Sequence, residues 1–228
     1  MPQPLRMPRL SGHRVLVLDI GGSHVKAMVS GKAEERRFKS GSALTPQQMM
    51  KRLSKTLRGW SFDRVSMGVP SPVVHGRIVQ DPRNLGTGWV GFDFAAAFGC
   101  PVKIVNDAAM QALGSYEGGR MLFLGLGTGL GTAMIVDGVI EAMELAHLPY
   151  RKHTYEYYVA DAYRRRHKKK WPARVFEVID VLRAALLPDY VMLGGGNVNH
   201  LDELPEGVRR GDNRNAFVGG LRLWEDRT

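Results

Sequence analysis

Two glycine-rich turns in the sequence have the composition of phosphate-binding loops. In the first, Asp19 ends the apolar run "VLVLDI" and is followed by Gly21, Gly22 and Ser23, with Lys26 shortly after. Glycines at a tight turn leave backbone N–H groups uncovered, so these can cradle phosphate oxygens, while Ser23 and Lys26 add a hydroxyl and a cation. The Asp19 carboxylate suits a hydrated Mg²⁺ that accompanies such phosphates. The alternative is an ordinary hairpin in which Asp19 only caps the turn.

The second turn lies in "LGLGTGLGT", residues 124–132. Its glycines alternate, so a plain strand here would have one face without side chains, which packs poorly. A turn that accepts phosphate at Gly127, Thr128 and Gly129 explains the pattern better, and Thr128 then matches the hydroxyl of Ser23.

A third glycine cluster follows the apolar run "YVML" and consists of Gly194, Gly195 and Gly196. Three glycines would let a flat base or a ribose approach the backbone. A plain turn from strand to helix is the other interpretation.

Composition and charge limit the function classes. The 228 residues carry a net charge of +10, with 44% hydrophobic and 24% charged residues, which is typical of a folded chain rather than a disordered one. No apolar run is long enough to span a bilayer, and the first residues lack the apolar stretch of a secretory signal, so we expect a cytoplasmic protein without a membrane partner. The single cysteine, Cys100, excludes an intrachain disulfide and a cysteine-cluster zinc site. The positive charge favours polyanionic partners or, equally, a solvated basic face.

Alternating strand and helix patterns predict an α/β fold that would position these turns. Each of the two glycine turns joins two predicted strands, so the sequence contains one internal repeat, a strand–turn–strand unit that occurs twice. Between them, "CPVKIVND" predicts a strand with the polar tip Asp107, and a helix follows over residues 108–116. Further helices are predicted over residues 46–59, opened by Thr45 and Pro46, and over 155–170, 172–187 and 216–224.

The joint order of several motifs resembles the ROK family of sugar kinases (repressor, open reading frame, kinase) in the actin-like ATPase superfamily, and within it the polyphosphate glucokinases. These motifs are "LDIGGS", "GVPSPVVHGRI", "NLGTGW", "VNDAAMQALG", "LGLGTGLGTAMIVDG", "ELAH" and "PDYVMLGGGN". The resemblance implies a two-lobed actin-like ATPase (ribonuclease H-like) fold with a cleft between the lobes. We expect residues 13–105 to form the N-terminal lobe and 106–213 the C-terminal lobe, with a helix in 214–228 that packs back on the first.

The resemblance also assigns roles in a hexose kinase that transfers a phosphoryl group from polyphosphate or ATP to the 6-hydroxyl of glucose or a related hexose. Asp107 matches the general base that accepts the proton of that hydroxyl. The positions that match sugar-binding residues are Asn84, Asn106, Glu144, His147 and Glu156. The resemblance implies Mg²⁺ as cofactor, no zinc, and a homodimer, which is common in the family.

The run "RRRHKKK", Arg164–Lys170, is the most charged segment of the sequence. It could form a track for polyphosphate, or simply a solvated helix end that favours cations. Specific DNA binding is not expected, because too few residues precede the first strand for a winged helix.

Two departures from the family pattern keep other functions open. Ser71 stands between two prolines where the family has a glycine, and Ala146 replaces the glycine before the histidine. These departures leave open a catalytically weak sugar-binding relative, and the basic run separately leaves open a relative that binds nucleic acid nonspecifically.

Overall fold

The chain forms two compact units. The computed structural model describes residue 10 and residues 12–225. The first unit consists of the described residues up to Met110 together with those from Ala216 onward, and the second of Gln111–Asn215. The first passage of the chain from one unit to the other therefore lies within the helix Asp107–Ser115.

The first unit is built on a five-stranded mixed sheet. Its strands are β1 (Val15–Ile20), β2 (His24–Val29), β3 (Arg36–Lys39), β4 (Arg64–Val69) and β7 (Val102–Asn106), with a small ribbon of β5 (Val73–Val74) and β6 (Arg77–Ile78). Its helices are α1 (Pro46–Thr56), α2 (Phe94–Phe98), α3 (Asp107–Ser115, shared with the second unit) and α7 (Asn215–Arg222, which starts at the boundary). The sheet order is β3-β2-β1-β4-β7, in which β1, β2 and β3 are antiparallel and β1, β4 and β7 are parallel.

Local sequence signals account for the elements that hold the first turn. Every residue of β1 except Asp19 is a buried aliphatic, and β2 alternates between buried and half-buried positions, as expected for an outer face in contact with solvent. Helix α1 begins where predicted, because Thr45 and Gln48 form a reciprocal capping box and Pro46 occupies the first turn.

The second unit repeats the strand arrangement of the first. Its strands are β8 (Arg120–Leu126), β9 (Leu130–Val136), β10 (Val139–Met143), β13 (Tyr190–Gly194) and β14 (Val208–Arg210), with a ribbon of β11 (Pro149–Tyr150) and β12 (His153–Thr154). Its own helices are α4 (Tyr155–Val159), α5 (Asp161–Arg166) and α6 (Trp171–Leu186), and two short 3₁₀ helices cover Leu145–His147 and Gly196–His200. In the order β10-β9-β8-β13-β14, strands β10, β9 and β8 are antiparallel, and β8, β13 and β14 are parallel. The internal repeat predicted for the two hairpins therefore extends to the whole sheet.

The alternating glycines of the second hairpin do not all belong to its turn. Gly125 and Gly131 are directly opposite each other in the β8–β9 ladder, and only residues 127–129 connect the strands. The turn predicted at Gly127, Thr128 and Gly129 coincides with this connection, whereas the two outer glycines belong to the strands. A Cβ at Gly125 would lie 3.3 Å from the ring of Phe123, so this glycine leaves room for that buried ring.

The helix predicted over residues 155–170 is interrupted. Ala160 has an extended backbone, with φ −69° and ψ 162°, between α4 and α5, and α5 ends at Arg166. The break lets the backbone N–H of Asp161 donate to Gly127 O at 3.0 Å, so a contact with the second hairpin replaces helical continuity.

Helix α7 packs against the sheet of the first unit. Phe217 and Leu221 share a buried cluster with Val15 and Val17 of β1. A Cβ at Gly220 would overlap Val17, so glycine permits the close approach of helix and strand.

Within the part of the chain that the structure describes, no helix combines the length and the apolar character that crossing a membrane requires.

Candidate functional site

The first glycine turn is held in place by hydrogen bonds from both of its sides. Gly21 N–H donates to His24 O at 2.9 Å, which closes the turn between β1 and β2. The Ser40 hydroxyl donates to Gly21 O at 2.6 Å, and Ser40 N–H donates to Ser23 O at 3.0 Å. Ser23 itself is exposed, so its hydroxyl is accessible to a ligand at the turn.

Asp19 and Lys26 form an ion pair beside this turn. Lys26 Nζ lies 3.1 Å from Asp19 Oδ2, and the side chains of Lys26 and Asp19 are 34% and 21% exposed, respectively. The predicted metal-binding carboxylate therefore lies next to the predicted phosphate-binding cation, and both are accessible from solvent.

Asn84 lies directly against the first turn. A Cβ at Gly22 would be 3.1 Å from the Cβ of Asn84, so glycine at position 22 permits this contact. The first unit thus brings a predicted sugar-binding residue together with the predicted phosphate turn.

The loop that carries Asn84 is organised by Asp81, a residue that no sequence motif singled out. Its carboxylate accepts backbone N–H groups of Gly88 at 3.1 Å, Trp89 at 2.7 Å and Val90 at 3.2 Å. The hydrogen bond from Gly88, with those from Trp89 and Val90, lowers the pKa of Asp81 against the opposing effect of desolvation.

Asn106 and Asp107 lie where β7 passes directly into α3. Asn106 Oδ1 accepts the N–H groups of Ala108 at 2.9 Å and Ala109 at 3.3 Å, while its Nδ2 donates to Ser71 O at 3.3 Å. Asn106 therefore caps the helix and is tied to the unusual Pro-Ser-Pro turn. Asp107 Oδ1 accepts Ala108 N–H at 2.8 Å, which orients the carboxylate at the start of the helix.

Ser71 has a structural role at the position where the family has glycine. It is 4% exposed, and its hydroxyl donates to Gln80 O across the β5–β6 ribbon.

The second turn is held through the carbonyl of Gly127. This oxygen accepts Asn197 Nδ2 at 3.0 Å and the backbone N–H of Asp161 at 3.0 Å, and Gly127 N–H donates to Gly129 O at 3.0 Å. Thr128, at the tip of the turn, is exposed. Asn197 is a second residue that sequence reasoning missed, although its place just after the glycine cluster is the signal that could have found it.

Glu156 contacts the second turn. Its Oε2 accepts Leu130 N–H at 3.0 Å, and a Cβ at Gly129 would overlap that same oxygen. The second unit therefore brings the predicted sugar-binding glutamate to the predicted phosphate turn, and one carboxylate oxygen already holds the hairpin.

Glu144 precedes the short 3₁₀ helix Leu145–His147, and His147 is its last residue. His147 Nε2 lies 3.9 Å from Glu144 Oε2, and both side chains are 50% exposed. Between them Ala146 is 2% exposed and belongs to the hydrophobic core of the second unit. The methyl group of Ala146 is thus directed into the core, whereas the two polar side chains reach solvent.

The three glycines at the end of β13, Gly194–Gly196, differ in their surroundings. A Cβ at Gly194 would overlap the Phe123 ring, and one at Gly195, where φ is +84°, would overlap the backbone of Leu126. Internal packing alone explains glycine at these two positions. Only Gly196 of the three has open space where a Cβ would lie.

The basic run has two parts with different surroundings. Arg164 is 15% exposed, and it donates to Asp161 Oδ1 at 2.7 Å and to Asn197 Oδ1 at 3.1 Å. Arg165 Nε lies 2.6 Å from Asp161 Oδ2. The hydrogen bond from Arg164, followed by the charge of Arg165, lowers the pKa of Asp161. These arginines therefore support the residues that hold Gly127, whereas Arg166 and Lys168–Lys170 are exposed.

The donor set near the first turn fits a hydrated magnesium ion better than an ion held by protein alone. In residues 12–225, no group of three or more His, Cys, Asp and Glu side chains could hold a metal. Mg²⁺ commonly binds one or two carboxylates and completes its shell with water and substrate phosphates, and Asp19 can supply such a carboxylate.

Comparisons with known proteins agree on one family. The profile described as "ROK family" matches residues 15–142, more than half of the chain. A polyphosphate glucokinase of Mycobacterium tuberculosis (strain ATCC 25177 / H37Ra) is 28% identical over 203 residues, which cover 78% of this chain and 76% of that protein. The structure of an inorganic polyphosphate/ATP-glucomannokinase from Arthrobacter sp. strain KM matches with a TM-score of 0.80 and 21% identity, covering 93% of this chain and 98% of that one.

A ROK family glucokinase from Streptomyces griseus, solved in complex with glucose and AMPPNP, matches with a TM-score of 0.72 and 14% identity, covering 92% of this chain and 98% of that one. These likenesses confirm the predicted α/β fold of the actin-like ATPase type. With the profile match, they bear out the resemblance carried by the sequence motifs: the chain belongs to the ROK family.

Proposed function

We propose that this protein is a hexose kinase that transfers a terminal phosphoryl group from polyphosphate or ATP to the 6-hydroxyl of glucose or a related hexose. The observation that carries the proposal is Asp107, oriented at the junction of β7 and α3 in a chain of the ROK family. The names of the polyphosphate glucokinase and the glucomannokinase to which the chain is similar support the choice of substrates.

Asp107 would act as the general base. A sugar hydroxyl is a weak nucleophile, so a carboxylate within hydrogen-bond reach accelerates attack by accepting the proton as the new P–O bond forms. The hydrogen bond from Ala108 N–H to Asp107 Oδ1 would hold the carboxylate in one orientation while it accepts the proton of the substrate.

Hexose recognition would use the polar side chains already described. Carboxylates accept from neutral hydroxyls, and amides and imidazoles can also donate to them, so a mixed set distinguishes the hydroxyls of a sugar. The proposed set is Asn84, Asn106, Glu144, His147 and Glu156. Asn106 would offer the sugar the second hydrogen of its Nδ2, since the first bonds Ser71 O and its carbonyl caps α3. Glu156 would offer Oε1, since Oε2 accepts from Leu130 N–H.

Donor phosphates would bind the two glycine turns. Backbone N–H groups, the hydroxyls of Ser23 and Thr128, and Lys26 are the donors that phosphate oxygens require. Asp19 would hold a bound Mg²⁺ through water, and this ion would supply charge neutralisation at the phosphates. Gly196, with its open space, would permit a close ligand approach.

The test is a matrix of hexoses against ATP, GTP and polyphosphate, scored by sugar phosphate formed, for the natural chain and for Asp107→Asn. The variant should bind sugar normally while its rate falls by on the order of 10²-fold or more, because the proton acceptor is removed. Asp180→Asn, at an exposed aspartate of α6, is the matched control and should retain the natural rate.

Two outcomes would contradict the proposal. Unchanged turnover in Asp107→Asn would show that another group accepts the proton. Sugar binding without phosphorylation by any donor would indicate a sugar-binding relative instead of a kinase.

A further inference from the structure

Aromatic rings form a continuous surface beside the cations of the basic run. We call His153, Tyr157, Tyr158, Tyr163 and His167 the ring surface. His153 and Tyr157 are stacked, with centroids 3.8 Å apart and planes at 24°. Tyr157 contacts Tyr163 at 5.9 Å, and Tyr163 contacts His167 at 4.4 Å, so the series ends at the residue that precedes Lys168.

The ring surface is accessible to solvent. Tyr157 is 42% exposed despite its stacking on His153, and His153 and His167 are also exposed. The buried neighbours Tyr155 and Trp171 belong instead to the hydrophobic core of the second unit. The outer rings therefore leave flat aromatic area in water, next to positive charge.

The adjoining cations have no carboxylate partner among the described residues. Arg166 and Lys168–Lys170, which we call the cation segment, are exposed and form no ion pair within that part of the chain. They contrast with Arg164 and Arg165, whose charges are directed to Asp161. The cation segment is thus available to an external polyanion.

We propose that the ring surface and the cation segment together bind single-stranded nucleic acid. Such ligands combine backbone phosphates, which bind cations, with exposed bases, which stack on aromatic side chains. Polyphosphate would use only the cations, because it has no ring to stack. A duplex would hide its base faces from Tyr157. This site uses none of the residues proposed to bind the hexose or to form the two glycine turns, and it shares only the cation segment with the polyphosphate track.

Base stacking is tested by fluorescence anisotropy with a labelled oligodeoxyadenylate of about 12 nucleotides, a length suited to one binding groove. An abasic chain of the same length serves as a matched ligand of equal charge. The oligodeoxyadenylate should bind about fivefold more tightly or better, since each base stacked on an aromatic ring contributes at least that factor.

Variants of Tyr157 separate stacking from charge. Tyr157→Ala should weaken oligodeoxyadenylate binding to the level of the abasic chain and leave abasic binding unchanged, while Tyr157→Phe should bind as the natural chain does. His153→Ala removes the other ring of the stacked pair and should also weaken binding of the oligodeoxyadenylate. A thermal melt of each variant confirms that it is folded.

The contribution of charge is tested with the double variant Lys168→Gln and Lys169→Gln. The control is the double variant Lys51→Gln and Lys55→Gln, which removes the same charge from exposed positions of α1. The first pair should weaken both ligands and reduce the slope of log affinity against log salt by about 0.7 for each phosphate that no longer meets a lysine. The second pair should have no effect. Equal affinity for the two ligands, or binding unaffected by Tyr157→Ala, would overturn the proposal and leave a surface for polyanions in general.

Discussion

Asp19 and Lys26 are direct partners across the first hairpin, opposite each other in the ladder of β1 and β2, with Lys26 Nζ 3.1 Å from Asp19 Oδ2. Because residues opposite each other in a strand pair have neighbouring side chains, the fold itself brings this cation to the carboxylate. A metal ion that approaches Asp19 would therefore have to compete with the Lys26 ammonium, and a donor phosphate would be attracted to the same ammonium.

Lys26→Gln should separate these two effects. The Mg²⁺ concentration that gives half the maximal rate should fall by a factor of about 1.4 to 5, since a partly exposed ion pair of roughly 0.2–1 kcal/mol no longer opposes the ion. The KM for the phosphoryl donor should rise, because a phosphate-binding cation is removed. Steady-state rates measured over a range of Mg²⁺ and donor concentrations give the Mg²⁺ requirement and the donor KM. Lys32→Gln, at an exposed lysine, is the control. A rise in the Mg²⁺ requirement would contradict the proposed competition.

The two parts of the basic run should respond differently to neutralisation. Replacing Lys168–Lys170 with glutamine should raise the KM for polyphosphate by about tenfold at low salt and change the KM for ATP little, because a long polyanion contacts more cations. Arg164→Gln should impair both donors and lower stability, since Arg164 supports Asp161 and Asn197 at the second turn. Equal KM changes for both donors in the lysine variant would rule out a polyphosphate track.

Asp81 should make stability depend on pH in acid. Its folded pKa lies below the ordinary 3.8, chiefly through the hydrogen bond from Gly88, so its contribution is fully present above that value. The contribution disappears as the pH falls through the lower, folded pKa. Urea unfolding should show Asp81→Asn less stable than the natural chain near neutral pH, with the difference shrinking below about pH 4. A difference that grows in acid would mean that these hydrogen bonds do not stabilise the ionised form.

Ala146→Gly restores the residue that the family has at this position. Since the methyl group of Ala146 is buried in the core, we expect a decrease of about 0.5–1 kcal/mol in the free energy of unfolding and a sugar KM within about twofold of the natural value. Denaturant unfolding and sugar titration under saturating donor measure the two. A large fall in sugar KM with unchanged stability would instead indicate that the alanine restricts the approach of the sugar.

Elements with strong local signals could be predicted from sequence. The bounds of β1 agree with the apolar run from Val15 to Ile20, and α1 begins after Thr45, because a capping residue and a proline act within a few residues. Strand β3 was missed, since its sequence "RRFK" is polar and it lies at the edge of a sheet, where little of it is buried.

Features that depend on distant contacts could not be predicted. The break at Ala160 follows from a hydrogen bond between Asp161 and Gly127, which are far apart in the chain. The loop-holding role of Asp81 requires three N–H groups to converge on one carboxylate, and that convergence exists only once the loop is folded. Glycine at position 194 is required by the Phe123 ring, a partner that only strand pairing identifies.

The placement of α7 determines the order in which parts of the first unit can complete their contacts during translation. The Ser66 hydroxyl donates to Gly220 O at 2.6 Å and accepts from Trp224 Nε1 at 2.9 Å, so β4 acquires these partners only from a segment that follows the second unit in the chain. The second unit is fully synthesised before that segment emerges from the ribosome and can fold as a unit first. Until α7 arrives, Val15 and Val17 of the nascent first unit lack their contacts with Phe217 and Leu221, which leaves apolar surface that a chaperone could shield during translation.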